Sequence, residues 1–352
     1  MNHETMTSKE RVRKTYNFER PDRVPIDFCA CVKIYDAMRK KLNCSTDLEM
    51  LDKLHVDFRW ARAPWIGPDL KTADGTETDY FGVPRKGVGD FGSATAHPLS
   101  HLKSEDDIKN YPWPKAEHFD YDVFAEECER FEEYAVLGGS WSWFFTASCD
   151  LVGMDKLFVM MYDNPDLVYK LLERIVDFFY NMSQCMFDKA GRKVDIFFTG
   201  DDYGSQKALM LSLKMWRELI KPHVKRLYGL AKSHGIKIMQ HSCGSIATLI
   251  PELIECGVDI IEPVQVRAAG MTPAELVKHF GGKLCFHGGM DTQQTLPFGT
   301  VEDVRQEVRD RIETFREFGG YTLAPTQHFM PETPLENILA MYETAYEYGW
   351  WE

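Results

Sequence analysis

Apolar residues recur along the chain in two rhythms. Short runs rich in Val, Ile, Leu and Phe alternate with longer segments whose apolar positions fall three and four apart, the marks of buried strands and of amphipathic helices. The runs lie at 24–28 (VPIDF), 55–61 (HVDFRWA), 134–140 (YAVLGGS), 194–202 (VDIFFTGDD), 236–244 (IKIMQHSCG), 258–265 (VDIIEPVQ), 283–289 (KLCFHGG) and 321–328 (YTLAPTQH). They predict eight strands. Thr7 with Glu10 resembles a capping box that opens an N-terminal helix over SKERVRKTYNFE. Asn164-Pro165 starts a long helix with apolar residues at 168, 171, 172, 175 and 179 that stops near Gly191. Thr272-Pro273 with Glu275, Thr300 with Asp303, and Thr333-Pro334 with Glu336 announce three more helices, and the aromatic C-terminus YETAYEYGWWE reads as a last amphipathic helix. The Gly-rich stretch 62–100, with turn dipeptides such as Asp74-Gly75, reads as an inserted β-hairpin excursion after the second strand.

Repeated strand–helix units imply a parallel sheet covered by helices, and eight of them close into a (β/α)8 TIM barrel. A doubly wound open sheet usually has a Gly-rich phosphate turn after its first strand, and PIDFCACVKIYD has none. The expectation is one barrel domain over residues 1–352. In such a barrel catalytic groups sit just after the strands. The unusual polar residues fall there: Asp201, Asp202 and Tyr203; His241 and Cys243; Glu262 and Gln265; His287 and Asp291; Thr326, Gln327 and His328. Side chains at i and i+2 of a strand share a face, so His241 and Cys243 could reach one common point if the strand runs on through 243. A catalytic zinc takes imidazole nitrogen and thiolate sulfur and leaves one position open. A third ligand could come from Glu262, His287 or His328. Cys29 and Cys31 form a second i, i+2 thiol pair, which reads as packing. Trp141, Trp143 and Phe144, after the third strand, could be core or one wall of a pocket for a flat or apolar substrate.

Composition narrows the partners. A net charge of −13 argues against nucleic acid. No apolar run is long enough to cross a membrane, and MNHETMTSKERVRK lacks the apolar core of a signal peptide, so the expected location is the cytoplasm. Nine cysteines in no regular framework fit a reducing compartment. An exposed face of the acidic barrel could support a homodimer.

RVRKTYNFERPDRVPIDF, DGTETDYFGVPRKG, GDDYGSQKALMLSLKMWRELIKP, the stretch from QHSCGSIATLIPELIECGVDIIEPVQ to CFHGGMDTQQTLPFGT, and LAPTQHFMPETPLENILAMYE resemble the uroporphyrinogen decarboxylase superfamily, in particular its corrinoid-dependent methyltransferase branch. The resemblance implies a (β/α)8 barrel and a zinc ion held by the pair matching His241 and Cys243. It also implies a third ligand, usually Cys, after the eighth strand. Thr326-Gln327 stands in that place here, with His328 next, so His328 is the expected third ligand and Glu262 the second candidate. Replacing a thiolate by a neutral ligand makes the metal a stronger Lewis acid. That suits demethylation of a small methylated substrate, a methoxyarene or methylamine, with transfer to the corrinoid (cobalamin) of a partner protein. In this scheme Asp202, Tyr203 or Asp291 orients the substrate or supplies a proton, while Trp141, Trp143, Phe144, Gln265, His287 and Gln327 line the substrate site. Two other readings stand beside it: a catalytically idle barrel that binds a corrinoid or ligand, and a decarboxylase of an acidic tetrapyrrole. The decarboxylase needs several cations after the first strand, where only Lys33 and Arg39 are found.

Overall fold

A computed structural model describes residues 4–72, 74–87 and 92–351. Its strands are β1 (Phe58–Trp60), β2 (Arg85–Lys86), β3 (Ser93–Ala94), β4 (Ala135–Gly138), β5 (Ile196–Gly200), β6 (Lys237–His241), β7 (Ile260–Val264), β8 (Cys285–Met290) and β9 (Tyr321–Pro325). β1 and β4 to β9 bond in chain order as one all-parallel curved sheet. The expected first strand differs. Residues 24–30 form no regular strand, because Pro25 has no N–H to donate to a ladder, yet the segment closes the ring. The Asp27 N–H donates to the Leu323 carbonyl (3.0 Å) and the Leu323 N–H to that of Pro25 (3.0 Å), while the Asp57 N–H donates to Ile26 (2.9 Å) on the other side. The result is the predicted barrel with one irregular stave.

Period-two alternation divides each strand between two cores. Phe58, Ala135, Leu137, Ile196, Phe198, Met239, Ile260 and Cys285 pack inside the barrel with Trp60 against them. Their neighbours face the surrounding helices in a larger outer core. Helix Ser8–Thr15, opened by a reciprocal Thr7/Glu10 capping box, lies across the bottom of the barrel and inserts Val12 and Tyr16 into the inner cluster. The long helix runs Pro165–Ala190, and Val168, Leu171, Leu172, Ile175 and Phe179 are all buried on its inner face. Thr272 and Thr300 cap the helices Pro273–Phe280 and Val301–Arg316 as expected. The last helix starts one residue later than the sequence suggests, at Leu335. Pro334, in extended conformation, takes the cap position without a side-chain bond, and Thr333 is buried instead. The excursion after β1 contains the antiparallel β2–β3 pair and the bridges Lys71↔Glu77 and Thr78↔Pro84; residues 73 and 88–91 of it lie outside the described residues. Among the described residues no helix is long and apolar enough to cross a membrane.

Candidate metal centre

β6 ends at His241, so Ser242 and Cys243 belong to the loop and not to the strand. A backbone constraint brings the thiol back beside the imidazole. Gly244 sits at φ +87°, where L side chains are strained, and a Cβ there would press on the Gly204 carbonyl. The β5 and β6 loops therefore lie backbone against backbone, tied by the Ser245 N–H to the Ser205 carbonyl at 2.7 Å. Gln265, beyond β7, fixes the same turn by accepting the Gly244 N–H at 2.5 Å.

The two aspartates after β5 take different directions. Asp201 is buried and accepts the N–H groups of Phe145 (2.8 Å) and Thr146 (2.7 Å), where helix Phe144–Val152 begins. Burial pushes its carboxyl up to about 8 against the pull of those two donors. Asp202 faces the mouth, half exposed, and accepts the Cys243 N–H at 2.8 Å. One Asp202 carboxylate oxygen lies 3.4 Å from His241 Nε2, and Cys243 Sγ lies 3.7 Å from that nitrogen. One ligand atom from each of Asp202, His241 and Cys243 falls within 4.8 Å of the others.

Glu262, in ladder register with His241 on the neighbouring strand, bonds the opposite ring nitrogen, Nδ1. That leaves Nε2 turned toward Asp202 and Cys243, the arrangement in which a carboxylate orients a metal-binding imidazole. Burial alone would lower the His241 pKa, but the Glu262 carboxylate and the contacts with Asp202 and Cys243 raise it well above the ordinary value. The Cys243 thiol is pushed up by burial while His241 draws it back. Imidazole, thiol and carboxylate within one ion's reach, with the imidazole held from behind, suit zinc: the same field that favours a proton on His241 favours a divalent cation.

The other sequence candidates divide between the site and its frame. Gln327, beyond β9, reaches Cys243 Sγ with its amide at 3.6 Å. Half-buried His328 donates its backbone N–H to the Gln327 side chain and stands outside the three-residue group. Glu262 also stands outside it, so the third corner is Asp202 from the β5 loop. Tyr203 is buried with its ring near Phe145 and Trp216. Asp291 is buried, pairs with Arg267 at 2.6 Å and caps the turn at Gln293 and Gln294. Phe144 is buried beside His223, and the Trp143 indole N–H donates to the Tyr80 hydroxyl at 3.0 Å. His287 lies deep in the barrel. Trp141, 47% exposed and held at φ +44°, is at the mouth.

Trp141 meets a wall that sequence reasoning missed. Its ring lies 5.8 Å from Phe198, which lies 4.9 Å from Trp60 and 5.8 Å from His241. Phe198 and Trp60 read in the sequence as strand core, and their inward parity near the strand ends was the available signal. The guanidinium of Arg62 stands over Trp60 at 5.9 Å. Cys29 is held as a thiol by burial and by the Glu262 and Asp27 carboxylates, Cys31 stands at the N-cap position of helix Val32–Leu42 without a side-chain bond, and among the described residues neither thiol joins a metal group.

Comparison with known proteins agrees with this architecture. Residues 93–348 match the family model described as uroporphyrinogen decarboxylase (URO-D). A curated relative, the methylcobamide:CoM methyltransferase MtaA of Methanosarcina barkeri, is 29% identical over 109 residues, which is 31% of this chain and 30% of that protein's length. A solved structure of a methyltransferase from Methanosarcina mazei superposes with a TM-score of 0.69 over 97% of this chain and 99% of the other, at 18% identity, a likeness of fold. The ring of parallel strands and the match across most of its length together establish that this chain belongs to the uroporphyrinogen decarboxylase family.

Proposed function

We propose that the chain is a zinc-dependent methyltransferase that takes a methyl group from a small methylated substrate, a methoxyarene or methylamine, and passes it to a corrinoid protein. The convergence of Asp202, His241 and Cys243 at the open end of the barrel, with Glu262 behind the imidazole, carries this reading. The partial identity to a methylcobamide-using methyltransferase supports the corrinoid partner. His241, Cys243 and Asp202 would hold the ion and Glu262 would keep Nε2 aimed at it. Zinc bound there supplies Lewis acidity to the heteroatom that carries the methyl group. Phe198, Trp60 and Trp141 offer a flat wall beside the centre on which an aromatic donor can lie. The Gln327 amide, on the Cys243 sulfur, restrains the thiolate, and the open mouth leaves the methyl group accessible to a corrinoid.

The decarboxylase reading has less support, because Arg39, one of its two nearby cations, is paired with Asp36 and Asp47. The test is methyl transfer to a reduced cobalamin, screened over methoxyarenes, methylamines and methyl thiols with zinc-loaded protein. Transfer from one class, reduced at least ~100-fold in Asp202→Ala, is the expected result. Zinc without transfer from any donor would favour a barrel that only binds a ligand.

A further inference from the structure

Below the metal centre the barrel holds a second polar assembly that the metal chemistry leaves unused. His287, in β8, is 4% exposed in its side chain. The Tyr16 hydroxyl, delivered from the bottom by the N-terminal segment, lies 3.0 Å from its Nδ1, and Thr322 Oγ1 on β9 lies 2.9 Å from the Tyr16 oxygen. On the other side His287 Nε2 is 3.1 Å from Asp27 Oδ2. Asp27, in the segment that closes the barrel, is the most exposed member, at 13%. Thr322, Tyr16 and His287 therefore form a hydrogen-bonded line, which Asp27 continues through an ion-pair contact with His287 Nε2. The Phe58 ring packs edge-on against the imidazole at 5.2 Å. The other charged or titratable groups near the line include Glu262, Cys285, Cys29, Tyr35, Tyr342 and Lys237, whose ammonium donates to the Tyr16 carbonyl at 2.8 Å.

The line is built so that His287 can be satisfied in either protonation state. With neutral imidazole, Thr322 donates to Tyr16, Tyr16 to Nδ1, and Nε2–H to Asp27. With imidazolium, Nδ1–H donates to the Tyr16 oxygen, and the Tyr16 hydroxyl turns to donate to Thr322. Hydroxyls can reverse in this way because each is both donor and acceptor. His223 is the contrast: buried in the outer layer with Nε2 unpartnered, its pKa is lowered to about 4 by burial, and it is confined to one state.

We propose that Asp27 and His287 are the proton donor for the departing heteroatom in the methyl transfer proposed above, on which this inference rests. As the carbon–heteroatom bond breaks, its electron pair stays on the oxygen or nitrogen and the methyl carbon bonds to the corrinoid acceptor. The Nε2 proton of the imidazolium passes by way of Asp27 to that heteroatom and leaves the neutral tautomer whose Nδ1 proton stays on the Tyr16 oxygen, distinct from the resting neutral form with Nε2–H. Water at the exposed edge of Asp27 returns a proton. Tyr16 and Thr322 are positioning residues that keep both states hydrogen-bonded.

The test compares methoxyarenes whose released phenols differ in acidity, with a reduced cobalamin as acceptor. Asp27→Asn and His287→Gln are expected to slow donors with poor leaving groups by ~100-fold or more and nitrophenol-type donors by only about threefold, the pattern of a lost general acid, with zinc content unchanged. Equal slowing of every donor, or none, would overturn the proposal while leaving methyl transfer standing. A wild type that transfers no methyl group would instead remove the reading beneath it. If the variants do not fold, imidazole nitrogen NMR of the wild type decides. A His287 observed with protons on both ring nitrogens supports the donor, and one that never carries both overturns it.

Discussion

The barrel interior has two unlike halves. From β1 through β5 it is aromatic and aliphatic, with Phe58, Trp60, Ala135, Leu137, Ile196 and Phe198 inward. From β6 round to the closing segment inward positions carry His241 and Glu262 near the mouth and His287, Thr322 and Asp27 below the metal centre, each in polar contact with another of the set or with Tyr16. The apolar half gains stability from area removed from water. In the polar half each buried group is costly unless its partner is in place, so that half is a set of mutual commitments. Its two imidazoles are held differently: His241 has a carboxylate behind it and one nitrogen turned to the mouth, whereas His287 is bonded to Tyr16 on one side and faces Asp27 on the other.

Substitutions in the two halves should therefore fail in different ways. The largest loss of stability is expected in the apolar half: Phe58→Ala, at a fully packed site, should cost about 3–5 kcal/mol in denaturant unfolding. Zinc affinity of whatever remains folded should be unaltered, since Phe58 touches none of the three metal-group residues. In the polar half Glu262→Gln should leave the fold intact and weaken zinc binding by ~10–100-fold in competition with a chelator. Equal zinc affinity in the variant would break the assignment of Glu262 as the group behind His241.

A smaller effect separates a partnered from an unpartnered buried imidazole. The folded chain holds His223 unprotonated down to about pH 4, whereas an unfolded chain protonates it near its ordinary value of 6.5. Between those values the unfolded state binds the extra proton, so stability falls as pH falls through that window. His223→Phe should flatten that slope, measured as unfolding midpoints across the window. An unchanged slope would show that another group carries it. The smallest effect expected is at a helix end far from either half: Thr300→Ala should cost ~1 kcal/mol by removing the cap at Asp303.

How far the sequence foretold these halves follows from the range of the interactions. Strand alternation and helix caps are local, so β4 to β9, the Pro165–Ala190 helix and the caps at Thr7 and Thr300 were legible. The mouth was legible as a list of strand-end residues, with the His241–Cys243 pair foremost. That Asp202 lies beside this pair was not legible, because it depends on how the β5 loop packs against Gly244. The contact of Tyr16 with His287 spans 271 residues, and no local pattern in SKERVRKTYNFE marks that tyrosine as more than a helix end. The segment at 24–28 reads as a stave, but its irregularity does not show in the sequence, since it comes from Pro25 and from partners distant in sequence on both sides.

We propose that the open end of the barrel is a zinc site built by Asp202, His241 and Cys243. Metal analysis of the purified protein, run beside His241→Ala and Cys243→Ser, tests it directly. Stoichiometric zinc in the wild type, lost in both variants with the fold retained, is the expected result. A metal-free wild type that takes up no added zinc, or variants that keep their zinc, would contradict it.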